Sequence, residues 1–280
     1  AKDFGVAMPK GVFIVGMPGC GKSLCAQASA SLFNAPLLKM DMGSLMGKYV
    51  GESEANLRKA IRISEAASPC ILWIDEIEKA FAGVGGQNSE VLTRMFGYFL
   101  GWLQDKKSPV YVIATANNAN NLPPELKRKG RFDELFCVEL PNAQERKAIY
   151  MVHFKPHLKK GHKCMDGISE DTLRSWAEYL ANIKKEVNGA DIKSIVDEAI
   201  EECYLDDKQL SRDVLENVLN RTISIVESCR DQIADMRRAF KTSSFIDAYS
   251  GKATELMNEN ERQSNDMSTQ FIKALNDLSA

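Results

Sequence analysis

Long apolar runs are missing from this 280-residue sequence. No stretch of about 18 apolar residues occurs, which excludes a membrane-spanning helix. The longest runs, Phe96 to Leu103 and Val110 to Ala116, have the length of core helix or strand pieces. A basic-then-apolar leader pattern is missing too, and the chain opens at Ala1. Neither charge sign is in excess: 36 Lys+Arg stand against 38 Asp+Glu, a formal net charge of −2. General binders of nucleic acid or anionic membranes carry a clear basic excess, so those classes are disfavoured. Seven cysteines, an odd number without repeating spacing, read as reduced thiols in a cytosol-like compartment. Internal repeats and low-complexity tracts are absent. What remains, 44% hydrophobic and 26% charged, is an ordinary globular composition for one or two domains, expected to be cytoplasmic.

The first half alternates β-rich runs with helical stretches. Strands are expected at Gly11–Gly16, Pro36–Asp41, Cys70–Asp75, Val110–Ala116 and Glu134–Leu140, each bounded by Gly, Pro or polar residues. The clearest helical period runs from Ser89 to Gln104, where Val91, Leu92, Met95, Phe96, Phe99, Leu100 and Leu103 recur every three to four positions. Alternation of this kind predicts an α/β domain, a five-stranded parallel sheet covered on both faces. After Pro141-Asn142, a plausible hinge, only helical periodicity follows: Glu145–His153, Glu170–Ala181, Ala190–Tyr204 and Asp213–Arg238. The expected division is an α/β domain over 1–141, an all-α domain over 142–240 and a polar tail over 241–280. In that tail Met267, Phe271, Ile272, Leu275 and Leu278 share one helical face, and the stretch reads either as a docking helix or as a frayed end.

The strongest chemical signal is Gly16-Met17-Pro18-Gly19-Cys20-Gly21-Lys22-Ser23, directly after a strand and opening a helix. Glycines there let successive backbone N–H groups turn inward around phosphate oxygens, where side chains would block the approach. Lys22 would neutralise the β- and γ-phosphates, and the Ser23 hydroxyl would ligate Mg²⁺. The whole Pro18–Leu24 segment is the expected nucleotide contact, reinforced by the helix N-terminus. Cys20 is an oxidation-sensitive position or simply a small residue that fits.

A second strand, Ile71-Leu72-Trp73-Ile74, ends in Asp75-Glu76. Asp75 is placed to hold the metal, and Glu76 to orient and deprotonate the attacking water. Following a P-loop by one intervening strand, the pair marks an NTPase of the additional-strand, catalytic-glutamate type.

With these motifs in order, the sequence resembles the AAA+ ATPases, and within them the AAA branch of FtsH, katanin and the proteasomal ATPases. Its nearest likeness is to a poorly characterised bacterial and plastid group that shares the Ile71–Phe81 and Leu122–Leu126 stretches. The resemblance covers about residues 5 to 205 and implies further roles. Val112–Asn117 resembles the sensor strand, with Asn117 helping to place the lytic water, though Ala116 stands where the branch more often has Thr. Lys127–Asp133 resembles the arginine-finger segment, in which Arg128 and Arg131 reach the neighbouring subunit's γ-phosphate. The bland alternative is a solvated basic loop. Gly47–Glu54 is similar to the first pore loop, with Tyr49 and Val50 gripping a polypeptide; alternatively Tyr49 is ordinary packing. The Gly-rich Ala82–Asn88 sits where a second pore loop would lie. Asn188-Gly189-Ala190-Asp191 resembles the second sensor, with Gly189 and Ala190 close to the nucleotide, and His153 matches a nucleoside contact. His153, His157, His162 and Cys164 invite a zinc reading, which the absence of a Cys-x-x-Cys pair and four interspersed lysines disfavour.

The resemblance thus implies an Mg²⁺-ATP-driven remodeller of a protein substrate acting as a homo-oligomeric, hexameric ring, while the charge balance and the short apolar runs lead one to expect no membrane and no nucleic-acid partner. The alternatives are a nucleotide-gated scaffold that does not thread substrate, or a DNA-associated machine of the loader kind. The phosphate strand begins at Gly11 and the initiator Met is missing, so an excised motor module from a longer protein is expected.

Overall fold

The computed structural model describes residues 4, 7–42, 52–81, 89–118, 124–128, 130–160, 162–184, 186–242 and 245–248. They fall into two compact units, the first drawn from 1–16, 22–138 and 236–280, the second from 17–21 and 139–235.

The first unit is built on β1 (Gly11–Gly16), β2 (Leu37–Met40), β3 (Cys70–Ile74), β4 (Val110–Ala116) and β5 (Glu134–Val138). The helices α1 (Lys22–Leu32), α2 (Glu52–Ala66) and α3 (Ser89–Asp105) alternate with them. Every pairing is parallel, in the order β2-β3-β4-β1-β5, with a sixth strand, β6 (Ile246–Asp247), beyond β5. Parallel strands sandwiched by helices bury both faces, so each strand is apolar almost throughout. Ile14, Ile71, Trp73 and Ile113 pack with Ala26 and Ala30 of α1. The alternate residues Phe13, Leu72, Ile74, Val112 and Ala114 are buried as well.

Sheet type and the five long strands match the sequence expectation, but the strand count does not. β6 lies in the segment read as polar tail, pairs Phe136↔Ile246 and Cys137↔Asp247, and adds an Ala248 N–H donated to the Cys137 carbonyl at 2.9 Å. Two residues carry no readable alternation; only the exposed backbone edge of β5 attracts them. The amphipathic stretch proposed at Met267–Leu278 lies outside the described residues, as do Tyr49, Val50 and Ala82–Asn88.

The second unit contains α4 (Ala143–Lys159), α5 (Glu170–Ile183), α6 (Gly189–Leu205), α7 (Arg212–Arg221) and α8 (Ile225–Ser228). Tyr150, Phe154, Leu173, Leu180, Ile192, Ile195, Leu215 and Val218 make its core. Asn142 starts α4 through a capping box with Glu145: its side chain accepts the Gln144 and Glu145 N–H groups, and its own N–H donates to Glu145. Arg146, buried, donates to the Ala181 carbonyl through Nε at 2.9 Å and Nη2 at 2.7 Å, and to the Pro141 carbonyl at 2.6 Å. One guanidinium thereby joins the start of α4 to the end of α5.

The single helix expected over Asp213–Arg238 is instead three: α7, α8 and α9 (Arg230–Thr242). Thr222 leaves the helical region at φ −69°, ψ 122°, and Ser224 restarts it with a capping box to Glu227. The apolar period continues across the break, which is why periodicity alone reads one helix; the cap residues decide otherwise.

Candidate functional site

The site grows from the carboxyl ends of β1, β3 and β4, neighbours in the parallel sheet, where each chain turns out of the ladder. At the end of β1, the buried Lys22 side chain folds back so that Nζ donates to the Gly16 carbonyl at 2.9 Å. Ser23, next on α1, donates from Oγ to Asp75 Oδ1 at 3.2 Å. Asp75 follows β3 and its same oxygen accepts the Thr115 hydroxyl at 2.7 Å, while Oδ2 faces Lys39 Nζ at 3.4 Å. Lys39 in turn lies over the Trp73 ring, 4.3 Å from its centroid.

Glu76 occupies the left-handed region at φ +49°. For a non-glycine residue this costs about 1–2 kcal/mol. Fixed partners offset the strain: its N–H donates to Thr115 Oγ1 at 3.0 Å and its carbonyl accepts the Lys79 N–H at 2.9 Å. The conformation swings the carboxylate toward β4, where Asn117 Nδ2 donates to Oε1 at 2.8 Å. Oε2 is ion-paired with the Lys79 ammonium. Glu78, 7% exposed, accepts the Asn117 N–H on Oε1 at 2.8 Å, while Oε2 is buried without a hydrogen-bond partner among the described residues. Burial pushes its carboxyl up, the neighbouring Glu76 adds to this, and the Asn117 N–H and Lys22 oppose it.

Lys22, Ser23, Asp75, Glu76 and Asn117 are therefore brought together. Thr115 and Glu78, absent from the sequence reading, complete the constellation. Thr115 left a signal, a lone threonine within the apolar run Val110–Ala116, and the structure buries it fully. Glu78 left none, because an acid in a polar Glu-x-Glu-Lys stretch reads as solvated.

Within the second unit, Pro18, Gly19 and Gly21 are exposed and Cys20 is half-buried. The Pro18 carbonyl accepts Asn188 Nδ2 at 2.9 Å, and the Gly19 carbonyl accepts the Ala190 N–H at 3.1 Å. Gly19 sits at φ +74°, and a Cβ there would lie 2.5 Å from Asn188 Nδ2; one on Gly189 would lie 2.9 Å from the Gly19 carbonyl oxygen. Both positions require glycine for close approach. Asn188, 1% exposed, also caps α6 in a box with Asp191. His153 is half-buried on α4, with burial lowering its pKa. His157 and His162 bring their Nδ1 atoms within 3.1 Å, but no group of three or more His, Cys, Asp or Glu among the described residues is placed to hold a metal.

Leu24 is 64% exposed on α1. Arg128 is exposed, whereas Arg131 is half-buried and tied to α3 of its own chain, donating to the Leu100 carbonyl at 3.2 Å and to the Gln104 side chain. Among the described residues, no helix is long and apolar enough to cross a membrane.

Comparison with known proteins agrees with this geometry. Residues 12–140 match the family model described as "ATPase family associated with various cellular activities (AAA)". The chain is 41% identical over 237 residues to the uncharacterised AAA domain-containing protein ycf46 of Guillardia theta, covering 84% of this chain and 45% of that protein. It is 33% identical over 210 residues to the ATP-dependent zinc metalloprotease FtsH of Parabacteroides distasonis, covering 70% and 28%. To the cell division control protein 48 homolog C of Arabidopsis thaliana it is 28% identical over 276 residues, covering 98% and 30%. The chain thus spans less than half the length of these relatives. A P-loop strand and helix, an acidic pair after β3 and an asparagine after β4 all fall inside the matched segment, and the chain carries an AAA domain over residues 12–140.

Proposed function

We propose that this chain hydrolyses Mg²⁺-ATP and uses the cycle to remodel or thread a protein substrate as one subunit of a hexameric ring. The observation that carries the hydrolytic part is the contact between Asn117 and Glu76 beside Asp75 and Ser23. Lys22 would bind the β- and γ-phosphates, and the glycine-rich Gly19-Cys20-Gly21 turn is assigned to the same phosphates by its motif. Ser23 Oγ and Asp75 Oδ1, 3.2 Å apart, are hard oxygen donors of the kind Mg²⁺ takes. Bound there, the metal would neutralise charge on the phosphate oxygens. Glu76 accepts the proton of the attacking water, and Asn117 holds the carboxylate in line for it. Leu24, His153, Gly189 and Ala190 are assigned to the rest of the nucleotide by their likeness to the family pattern.

Oligomerisation rests on Arg128 and Arg131, which match the segment that acts on a neighbour's γ-phosphate. The exposure of Arg128 supports this reading for that residue; Arg131 would have to leave its α3 partners first. Substrate gripping rests on Tyr49 and Val50 by resemblance alone.

A second reading, a nucleotide-gated scaffold with slow hydrolysis, draws on the Lys79–Glu76 ion pair, which leaves both carboxylate oxygens engaged. ATP turnover measured against protein concentration separates the readings, using the parent, Glu76→Gln and Arg128→Ala. Turnover per subunit that rises with concentration and is lost in both variants supports a trans-acting ring. Undiminished turnover in a dilute monomer overturns it. If turnover is slow throughout, Tyr49→Ala decides: a threading motor loses substrate processing and a scaffold does not.

A further inference from the structure

Glu78 lies three residues past Asp75, in the 3-10 turn Ile77–Phe81, with its side chain 7% exposed. A carboxyl is a poor choice for filling such a space. Leucine would occupy similar volume without desolvation, and a buried polar atom lacking a partner costs about 1–3 kcal/mol. Among the described residues Glu78 Oε2 is such an atom. The other oxygen shows what the carboxyl does there. Asn117 is the first residue past β4, beyond the last ladder pairs of that strand, Val15↔Ala116 on one side and Ile74↔Ala114 on the other. Asn117 is half-buried there, its backbone N–H has left the strand ladder, and Glu78 Oε1 accepts it at 2.8 Å. The same residue's side-chain amide donates to Glu76 Oε1, also at 2.8 Å. The Glu76 N–H is meanwhile held by Thr115, two residues earlier on the same strand. Glu76 and Glu78 thus clasp the end of β4 from one turn, Glu76 by its backbone and reacting carboxylate and Glu78 through the main chain of Asn117.

We infer that Glu78 is a positioning residue whose buried carboxyl fixes the backbone of Asn117 and so aims the Asn117 amide at Glu76. The inference rests on the hydrolytic reading above and assigns Glu78 no contact with nucleotide. What it supplies is an acceptor at a set distance, so reach matters and charge does not. Gln keeps an acceptor oxygen at the same reach; Asp keeps the charge but is one methylene short; Leu keeps volume alone.

The test is steady-state ATPase kinetics on Glu78→Gln, Glu78→Asp and Glu78→Leu, alongside amide hydrogen exchange at Asn117. Glu78→Gln should hold kcat within about threefold, while Asp and Leu lose roughly 10- to 100-fold, the scale of a misplaced reacting group. KM and nucleotide affinity should stay within about twofold in all three, since only the transition state is affected. The Asn117 amide should be protected in the parent and the Gln variant and exchange faster with Asp or Leu. Should Glu78→Leu fail to fold, the order of Gln and Asp still decides. Asp retaining activity while Gln loses it makes the charge the essential property and overturns the inference, as does full activity with Leu. A parent that hydrolyses no ATP would sink the functional reading instead. Amide exchange, which needs no turnover, would still report whether Glu78 holds Asn117.

Discussion

The side-chain amide of Asn117 donates to Glu76 Oε1 at 2.8 Å, across the gap between the ends of β4 and β3. Glu76→Gln leaves that pair able to hydrogen-bond but cannot take a proton. ATP turnover should fall at least about 100-fold while nucleotide binding persists, the span attributed to a general base. Asn117→Ala, which leaves the base unaimed, should fall less, roughly tenfold. A coupled phosphate-release assay with nucleotide titration checks both.

Thr115 is fully buried, and its hydroxyl serves both acidic residues, donating to Asp75 and accepting from the Glu76 N–H. Thr115→Val keeps the shape and removes both bonds, leaving the strained Glu76 backbone less constrained. A loss of about 1–3 kcal/mol in denaturant unfolding is expected, together with a lower kcat. Thr115→Ser should recover most of both.

Arg146 donates to two carbonyls, Ala181 and Pro141, from a buried position. Burial lowers its pKa. Arg146→Met should destabilise the helical unit by about 2–4 kcal/mol, because it strands those acceptors. Lysine, which lacks the planar fork, should recover only part of this in thermal unfolding.

Asn188 has two duties, capping α6 and donating to the Pro18 carbonyl. Asn188→Asp keeps the capping oxygen and loses the donor; Asn188→Ala loses both. Thermal unfolding should therefore show about 1 kcal/mol lost with Ala and less with Asp. Nucleotide affinity, if it depends on the loop contact, should fall alike in the two.

Lys106 is a pH probe of the α/β unit. Its ammonium donates to the Pro9 carbonyl at 3.1 Å, and burial lowers its pKa from 10.5 to about 8, against the opposing pull of Asp133. With the folded value below the unfolded one, the unfolded chain binds more protons between the two. The penalty is therefore full below about pH 8 and fades as pH rises toward 10.5. Stability measured for the parent minus Lys106→Met should become more favourable to the parent across that window. A flat difference would remove the assignment.

Much of the fold was legible because its signals are local. β1 and β4 run over the residues that the apolar runs mark, and the glycine-rich turn after β1 announces itself by composition. The break between α7 and α8 was not legible, since a serine cap competes with an apolar period that runs on unbroken. β6 was invisible for a different reason: two residues recruited by an open sheet edge need no pattern of their own. In the site, Asp75 and Glu76 are expected from their place at a strand end and Asn117 from the family resemblance, and the structure brings the three together. Glu78 is not expected, because burial turns what looks like a surface acid into an internal acceptor.

The sequence by itself determined which groups are on offer: a glycine-rich turn and an acidic pair, each tied to a strand by local pattern, and an asparagine marked by the family resemblance. It also excluded a spanning helix, and its charge balance disfavoured a general polyanion binder. Only the tertiary structure decided which groups meet. β3 and β4 are separated in sequence by α3 but adjacent in the sheet, and parallel pairing brings their carboxyl ends side by side. From that adjacency follow the Asn117–Glu76 bond, the double use of Thr115 and the contact of Glu78 with Asn117, while the retention of Arg131 by α3 is a separate tertiary contact. Spacing along a chain cannot encode these contacts, because they depend on hydrogen-bond distances of about 3 Å between residues roughly 30–40 positions apart.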